Sequence, residues 1–364
     1  MNEIYTLNEY ITAVKELRNN QYYFRGENNK YPLIASSLLR KGNMQLLRSE
    51  KFNFYEDLVN DYYSEIASDI GEFERKNFLA FSQHHGLSTN LIDLTTSPLI
   101  ALYFACSFNI GTENTNNTGY VYLFDKDSTI DISSLINTHM MAPSHSYNIV
   151  DLFLRNDSSI INTLLEYFSN FFWDNSIEPY LINVIDLYLN VIPDVRIDKD
   201  LYNVITSPYG IYGMEDNLSI ELEKLQRKYE SKLGIQYMGK SVLSTLYLIL
   251  LTEYFKGVYT SSFYGLKSEP VFPNMPYLLY KTPYKFDRIR NQDGVFLSQL
   301  FQTFATKNEN IPDEIIKQEY IPDETFTIKD QETILEELDF IGINLKSIYG
   351  DFDNIASYLN KKKF

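Results

Sequence analysis

Apolar residues recur at helical spacing near the start of the chain. Leu7, Tyr10, Ile11, Val14 and Leu17 stripe residues 6–20 and predict a short amphipathic helix. The pattern then changes to a run of bulky side chains, Tyr22, Tyr23 and Phe24. This reads as a strand over 21–26 that Arg25 and Gly26 interrupt. Residues 44–81 read as helical, and FLAFSQHHG as a helix capped by Gly86. Ser97 followed by Pro98 forms an N-cap and first-turn pair opening PLIALYFACSF, a helix apolar nearly all round and therefore expected to be buried. GYVYLFD, 119–125, is a strand by its β-branched and aromatic content.

From about 130 to 269 long apolar stripes predict helices with few strand signals, before strand-like PYLLYK (276–281) and GVFLSQL (294–300). The tail reads as two helices. The expected fold class is α+β, a mixed sheet core with helices and a large helical insertion. Its divisions are 1–129, a first half of the core; 130–269, the insertion; and 270–364, the second half.

Composition narrows the classes of function. A net charge of −16 disfavours nucleic acid and anionic membranes as nonspecific partners. The 30 Tyr and 24 Phe must be buried or line pockets in good part. One cysteine, Cys106, in an apolar run, builds neither a disulfide framework nor a thiolate metal site and is expected to be inert. The acidic N-terminus does not read as a signal peptide, and the most apolar stretch, 242–251, is half a bilayer span. The expectation is a cytoplasmic protein without a membrane partner or bound metal.

Three ordered blocks carry a family resemblance. YFRGENNKYPLIASSLLR and FLAFSQHHGLSTNLIDLTTSPLIALYFA resemble the bacterial FRG domain, named for the tripeptide Phe24-Arg25-Gly26. In the second block Gln83, His84, Gly86, Leu87, Thr89, Leu91, Asp93, Thr95, Pro98 and Ala101–Ala105 match the family pattern. Arg288, Ile289, Gln292, Gly294 and Phe296 match a third block. The resemblance covers roughly 20–125 and 270–360. Asn90 and Leu94 depart from it, standing where the family usually has Arg and Trp.

The block order looks like that of the ADP-ribosyltransferase fold, which implies an NAD-binding core. Arg25 would then clamp the diphosphate, with Gly26 beside it in the cofactor site, and Thr95 and Thr96 would meet the nicotinamide ribose. Gln292 would fall near the position of the catalytic glutamate. Cleaving the nicotinamide–ribose bond builds positive charge on the sugar, which a carboxylate stabilises and an amide cannot. Asp93 and Glu27 are the candidates to replace it, Glu27 on the same strand face as Arg25. The resemblance implies an ADP-ribosyltransferase or NAD glycohydrolase, with a bacterial toxin or phage defence as its setting. The absent glutamate leaves a non-catalytic sensor or adaptor, capturing a protein through 130–269, as the competing expectation.

The same residues have structural readings. Arg25 pairs either with a ligand phosphate or with the Asp93 carboxylate. Asp93, Thr96 and Ser97 serve either a ligand or the N-terminus of the following helix. His84 is either a general acid–base or a donor to a carbonyl at its helix end. Of Arg288 and Arg290, one is a candidate second anion contact, with Arg290 the better fit to a solvated surface. GIQYMGKS (234–241) matches a phosphate-loop pattern, but a charged helix precedes it where a strand is needed, and Gly234 reads as that helix's cap. His139 and His145 lack the carboxylates a metal site needs.

Overall fold

The structure is a computed structural model. It describes residues 2–17, 21–40, 54–107, 118–139, 147–155, 157–206, 219–234, 241–260, 265–283, 285–304 and 314–362. Its framework is a mixed eight-stranded sheet in the order β1-β10-β4-β2-β3-β7-β6-β5. The strands are β1 (Asn2–Ile4), β2 (Tyr22–Glu27), β3 (Leu91–Thr95), β4 (Gly119–Asp125), β5 (Thr129–Asp131), β6 (Tyr277–Tyr280), β7 (Gly294–Ser298) and β10 (Glu324–Ile328). Pairing is antiparallel except at the two edges, where β1 joins β10 and β5 joins β6 in parallel. Strands β8 (Phe301–Phe304) and β9 (Glu314–Lys317) form a separate hairpin. With helices packed against this sheet, the fold is α+β.

The helix Pro98–Cys106 lies directly on the sheet and is almost wholly buried, as its uniform apolarity requires. Ala101 and Ala105, one turn apart, face two glycines on neighbouring strands. A Cβ at Gly26 would overlap the Ala101 carbonyl oxygen and stand 2.7 Å from the Ala105 amide nitrogen. A Cβ at Gly119 would overlap the Ala105 carbonyl oxygen. Small residues on both sides let backbone meet backbone. Around this contact, Phe24, Leu102, Val121, Leu123, Phe326 and Ile328 close one core, with Tyr10 donating to the Pro98 carbonyl at 2.8 Å.

Helices from 133 to 259 share a second core with Leu38, Tyr55, Phe78, Phe296 and Phe301. At its centre is helix Val242–Tyr259, buried on nearly every side. Its two buried tyrosines are held by their hydroxyls: Tyr247 donates to the Asn274 carbonyl and Tyr254 to that of Val271, both at 2.6 Å. Each ring fills core volume while its hydroxyl keeps a partner, which gives the abundant tyrosine a structural use. No helix among the described residues is long and apolar enough to cross a membrane.

Several expectations need correction. The 44–81 stretch is helical within the described residues, divided into Phe54–Ile66, Glu72–Lys76 and Phe78–His84. The tail carries three helices, Gln331–Phe340, Leu345–Tyr349 and Phe352–Lys362, and not two. Ser97 holds the N-cap position, but its hydroxyl caps nothing; its own N–H is bound by the Thr95 hydroxyl at 3.0 Å. The first part of the 130–269 segment contributes to edge strand β5. Gly86 behaves as expected: its φ is +92°, its N–H reaches the Gln83 carbonyl and the Leu87 N–H reaches that of Ser82. Gly234, at φ +66°, ends helix Ser219–Leu233, while 235–240 of the phosphate-loop pattern lie outside the described residues, as do His145 and the side chain of His139.

Candidate functional site

The site begins where the sheet opens. Strands β2 and β3 share one registered pair, Phe24 with Thr95. Beyond it β2 follows β4 through Arg25, Gly26 and Glu27, while β3 follows β7 through Leu94 to Leu91. The two strands therefore part, and Arg25 spans the gap. Its Nη1 donates to the main-chain carbonyl of Asp93 at 2.8 Å, and its Nε donates to Glu27 Oε1 at 2.8 Å. The pair is largely out of solvent, with side chains 12% and 7% exposed. The anion opposite Arg25 is thus Glu27, two residues along the same strand face, and not the Asp93 carboxylate. Asp93 instead accepts from Gln83 Nε2 at 2.8 Å, and Gln83 in turn accepts from the Thr89 hydroxyl.

A cleft of about 200 Å3 lies in this split, lined by Phe24, Arg25, Gly26, Asp93, Leu94, Thr95, Phe104, Arg288 and Gln292. Helix Asp287–Asn291 and the turn after it supply the far wall. Thr95 ties that wall to the sheet: its hydroxyl donates to the Gln292 carbonyl at 2.7 Å, and Thr96 N–H reaches the Asp293 carbonyl at 3.1 Å. Asp293 takes a positive φ of 46°, which turns the chain into β7. The Gln292 side-chain nitrogen is buried and has no partner among the described residues.

A second cleft of about 450 Å3 adjoins the first and shares Arg288 with it. It is lined by Phe73, Glu74, Phe81, His84, His85, Phe286, Asp287, Tyr349, Gly350 and Asp351. The Arg288 guanidinium lies over the Tyr349 ring, 5.0 Å from its centroid, and its Nη1 is 3.4 Å from His84 Nδ1. Since arginine can only donate, Nδ1 accepts and the neutral ring carries its proton on Nε2. Among the described residues Arg288 forms no ion pair.

Partial burial lowers the His84 pKa from 6.5, and the nearby positive charges of Arg288 and His85 lower it further, against the opposing pull of Asp351. His84 is therefore neutral at pH 7, which suits a base more than an acid. Its contribution to stability is complete above the unfolded value near pH 6.5 and is lost as pH falls through the lowered folded value. Titration of the imidazole C–H resonances should place its midpoint below 6.5. Arg288→Ala should raise that midpoint only part of the way, because desolvation is the larger cause.

The expected residues thus divide. Arg25, Gly26, Asp93, Thr95, Arg288 and Gln292 line one cleft, and His84 lines its neighbour. Glu27 lines neither and is neutralised by Arg25; Thr96 is exposed beside the turn. Thr95 uses its hydroxyl both as donor and as acceptor within the fold. Arg290 is exposed and pairs with Asp287 at 3.0 Å, as a solvated residue would. Cys106 is fully buried and its thiol pKa is pushed up by desolvation, which leaves it unreactive. Sequence reasoning did not single out Phe104, Phe286 or Tyr349 for the site, because aromatic residues in so aromatic a chain carry no local signal.

Of the two departures from the family pattern, Asn90 faces the interior and Leu94 is buried beside the cleft that it helps to line. Asn90 is fully buried, accepts from Tyr55 at 2.8 Å and donates to the Tyr147 and Gln299 carbonyls at 3.3 and 3.2 Å. Leu94 packs with Ile92, Tyr122 and Val295.

No curated protein and no solved structure gives a significant match to the chain. The family model of the FRG domain matches residues 20–114 and so takes in β2, β3 and helix Pro98–Cys106. The block at 288–296 lies outside that match, yet pairing of β3 with β7 joins it to the same cleft. Residues 20–114, which supply the opened edge of β2 and β3, are thus the part of the chain similar to the FRG domain.

Proposed function

We propose that the cleft between β2 and β3 binds a nucleotide of the NAD or ADP-ribose class, within an ADP-ribosyltransferase-like core. The observation that carries this reading is Arg288. It is a partly buried arginine without a carboxylate partner among the described residues, set where the two clefts meet. Arg25 adds guanidinium donors from the opposite wall, although Glu27 offsets its charge. A guanidinium held over an aromatic ring is positioned for a phosphate oxygen before the ligand arrives.

Asp93 is the carboxylate in this cleft. If NAD is turned over, Asp93 stabilises the positive charge that develops on the ribose as nicotinamide departs, and water or an acceptor nucleophile takes the sugar carbon. Glu27 drops out of that role. Gln292 orients the ribose. The setting we assign is a bacterial toxin or phage-defence protein, on the family resemblance.

Calorimetric titration of NAD and ADP-ribose tests the reading. Loss of the Arg288 contacts should weaken both ligands in Arg288→Ala about 10- to 100-fold, the range for hydrogen bonds to a charged group. Absence of binding to wild type, or equal affinity in the variant, rejects it. Mass spectrometry of NAD incubated with wild type and Asp93→Asn separates binding from turnover.

An adaptor without catalysis is the second reading. Trp173, the single tryptophan, stands 88% exposed at the end of helix Ser158–Asp174 in the helical segment, as a contact for a protein partner would.

A further inference from the structure

We infer that the aromatic cleft beside Arg288 is the subsite for an amine-bearing heteroaromatic base, so that the ligand is two-armed and lies across Arg288. This rests on the nucleotide reading of the adjoining cleft and adds to it which part of the ligand each cleft takes.

Size points first to a divided site. The β2–β3 cleft, at about 200 Å3, is smaller than a typical pocket for a whole nucleotide, roughly 300 Å3 or more. The cleft on the other side of Arg288 is more than twice as large. A ligand with its phosphate at Arg288 therefore has one arm in each.

Lining chemistry then distinguishes the arms. In the larger cleft Phe286 lies against His84, with ring centroids 5.2 Å apart, and Phe81 against His85 at 4.4 Å. These rings offer flat apolar faces on which a base can stack. The rim carries carboxylates from Glu74, Asp287 and Asp351. Such a rim accepts hydrogen bonds from an exocyclic amine and repels phosphate, which leaves the Arg288 guanidinium, held over the Tyr349 ring, to take the phosphate. Adenine satisfies both conditions. The smaller cleft, with Asp93 and the unpartnered Gln292 nitrogen, suits a sugar or a carboxamide.

Calorimetry with AMP, ribose 5-phosphate and ADP-ribose tests the assignment on wild type, Phe286→Ala, His85→Ala and Arg288→Ala, each first checked by thermal melting. Phe286→Ala should weaken AMP and ADP-ribose by about tenfold, the loss expected of one base-stacking contact, and leave ribose 5-phosphate within about twofold. His85→Ala, at an exposed position, should act in the same direction if Phe286→Ala proves unstable. Arg288→Ala should weaken all three. Unchanged AMP affinity in the folded ring variants overturns the base subsite while leaving the nucleotide reading intact. If AMP binds and needs the rings, but ribose 5-phosphate and ADP-ribose do not bind wild type, the subsite stands and the NAD-class reading fails. No binding of any of the three overturns both.

Discussion

Gly26→Ala should lower stability by about 3 kcal/mol or more, seen as a large fall in the midpoint of urea denaturation. The new methyl group would overlap the Ala101 carbonyl oxygen and crowd the Ala105 amide nitrogen. Both are backbone atoms, so no rotamer change can relieve the overlap; helix Pro98–Cys106 would have to lift off the sheet. That movement would open the core holding Phe24, Leu102, Val121 and Phe326. Gly86→Ala provides the contrast, because nothing lies within 4 Å of its added Cβ and only its φ of +92° is strained. Its cost should be about 1–2 kcal/mol, the range for a residue forced into left-handed backbone. Equal effects at the two positions would refute the packing role of Gly26. The glycine of the FRG tripeptide thus serves helix packing while it also lines the cleft between β2 and β3.

The second large effect is at Arg25. Arg25→Ala should destabilise the protein by about 3–5 kcal/mol, because it leaves the Glu27 carboxylate buried without its cation. Glu27 Oε2 already has no partner, so the ion pair with Arg25 is what offsets its burial. A double replacement, Arg25→Met with Glu27→Leu, should be much milder, since no isolated charge remains. If Arg25→Ala alone melts like wild type, the ion pair is not what holds the split strands. The consequence for function is direct. Lost ligand binding in Arg25→Ala would report a damaged fold as readily as a lost contact, whereas Arg288→Ala removes a partly exposed cation that forms no ion pair among the described residues. Arg288 is therefore the informative position for binding.

The three residues of the tripeptide separate by face and by neighbour. Phe24 enters the core under helix Pro98–Cys106, Gly26 admits that helix, and Arg25, between them, turns to the opposite face with Glu27. Strand alternation makes the shared face of Arg25 and Glu27 legible in the sequence, though not their pairing. The choice between Glu27 and Asp93 was not legible, because it depends on the parting of β2 and β3. In that geometry Asp93 presents its carbonyl to Arg25 and its carboxylate to Gln83.

The sequence by itself determined the elements whose signal is local. Helical spacing marked Leu7–Glu16, and a Ser-Pro start with uniform apolarity marked Pro98–Cys106; aromatic and β-branched runs marked β2, β4 and β7. Two of the three ordered motifs fall within residues 20–114, which the FRG domain model matches. Tertiary structure alone decided the rest. Short strands β1 and β5 exist through their parallel partners β10 and β6, since three residues carry too few intrinsic preferences to select a strand. Tertiary packing also brought Arg288 between two clefts, beside His84 from one helix and Tyr349 from another. Side chains that meet across more than two hundred residues leave no periodic trace in the chain, because their juxtaposition is set by strand pairing and core packing, not by spacing along the sequence.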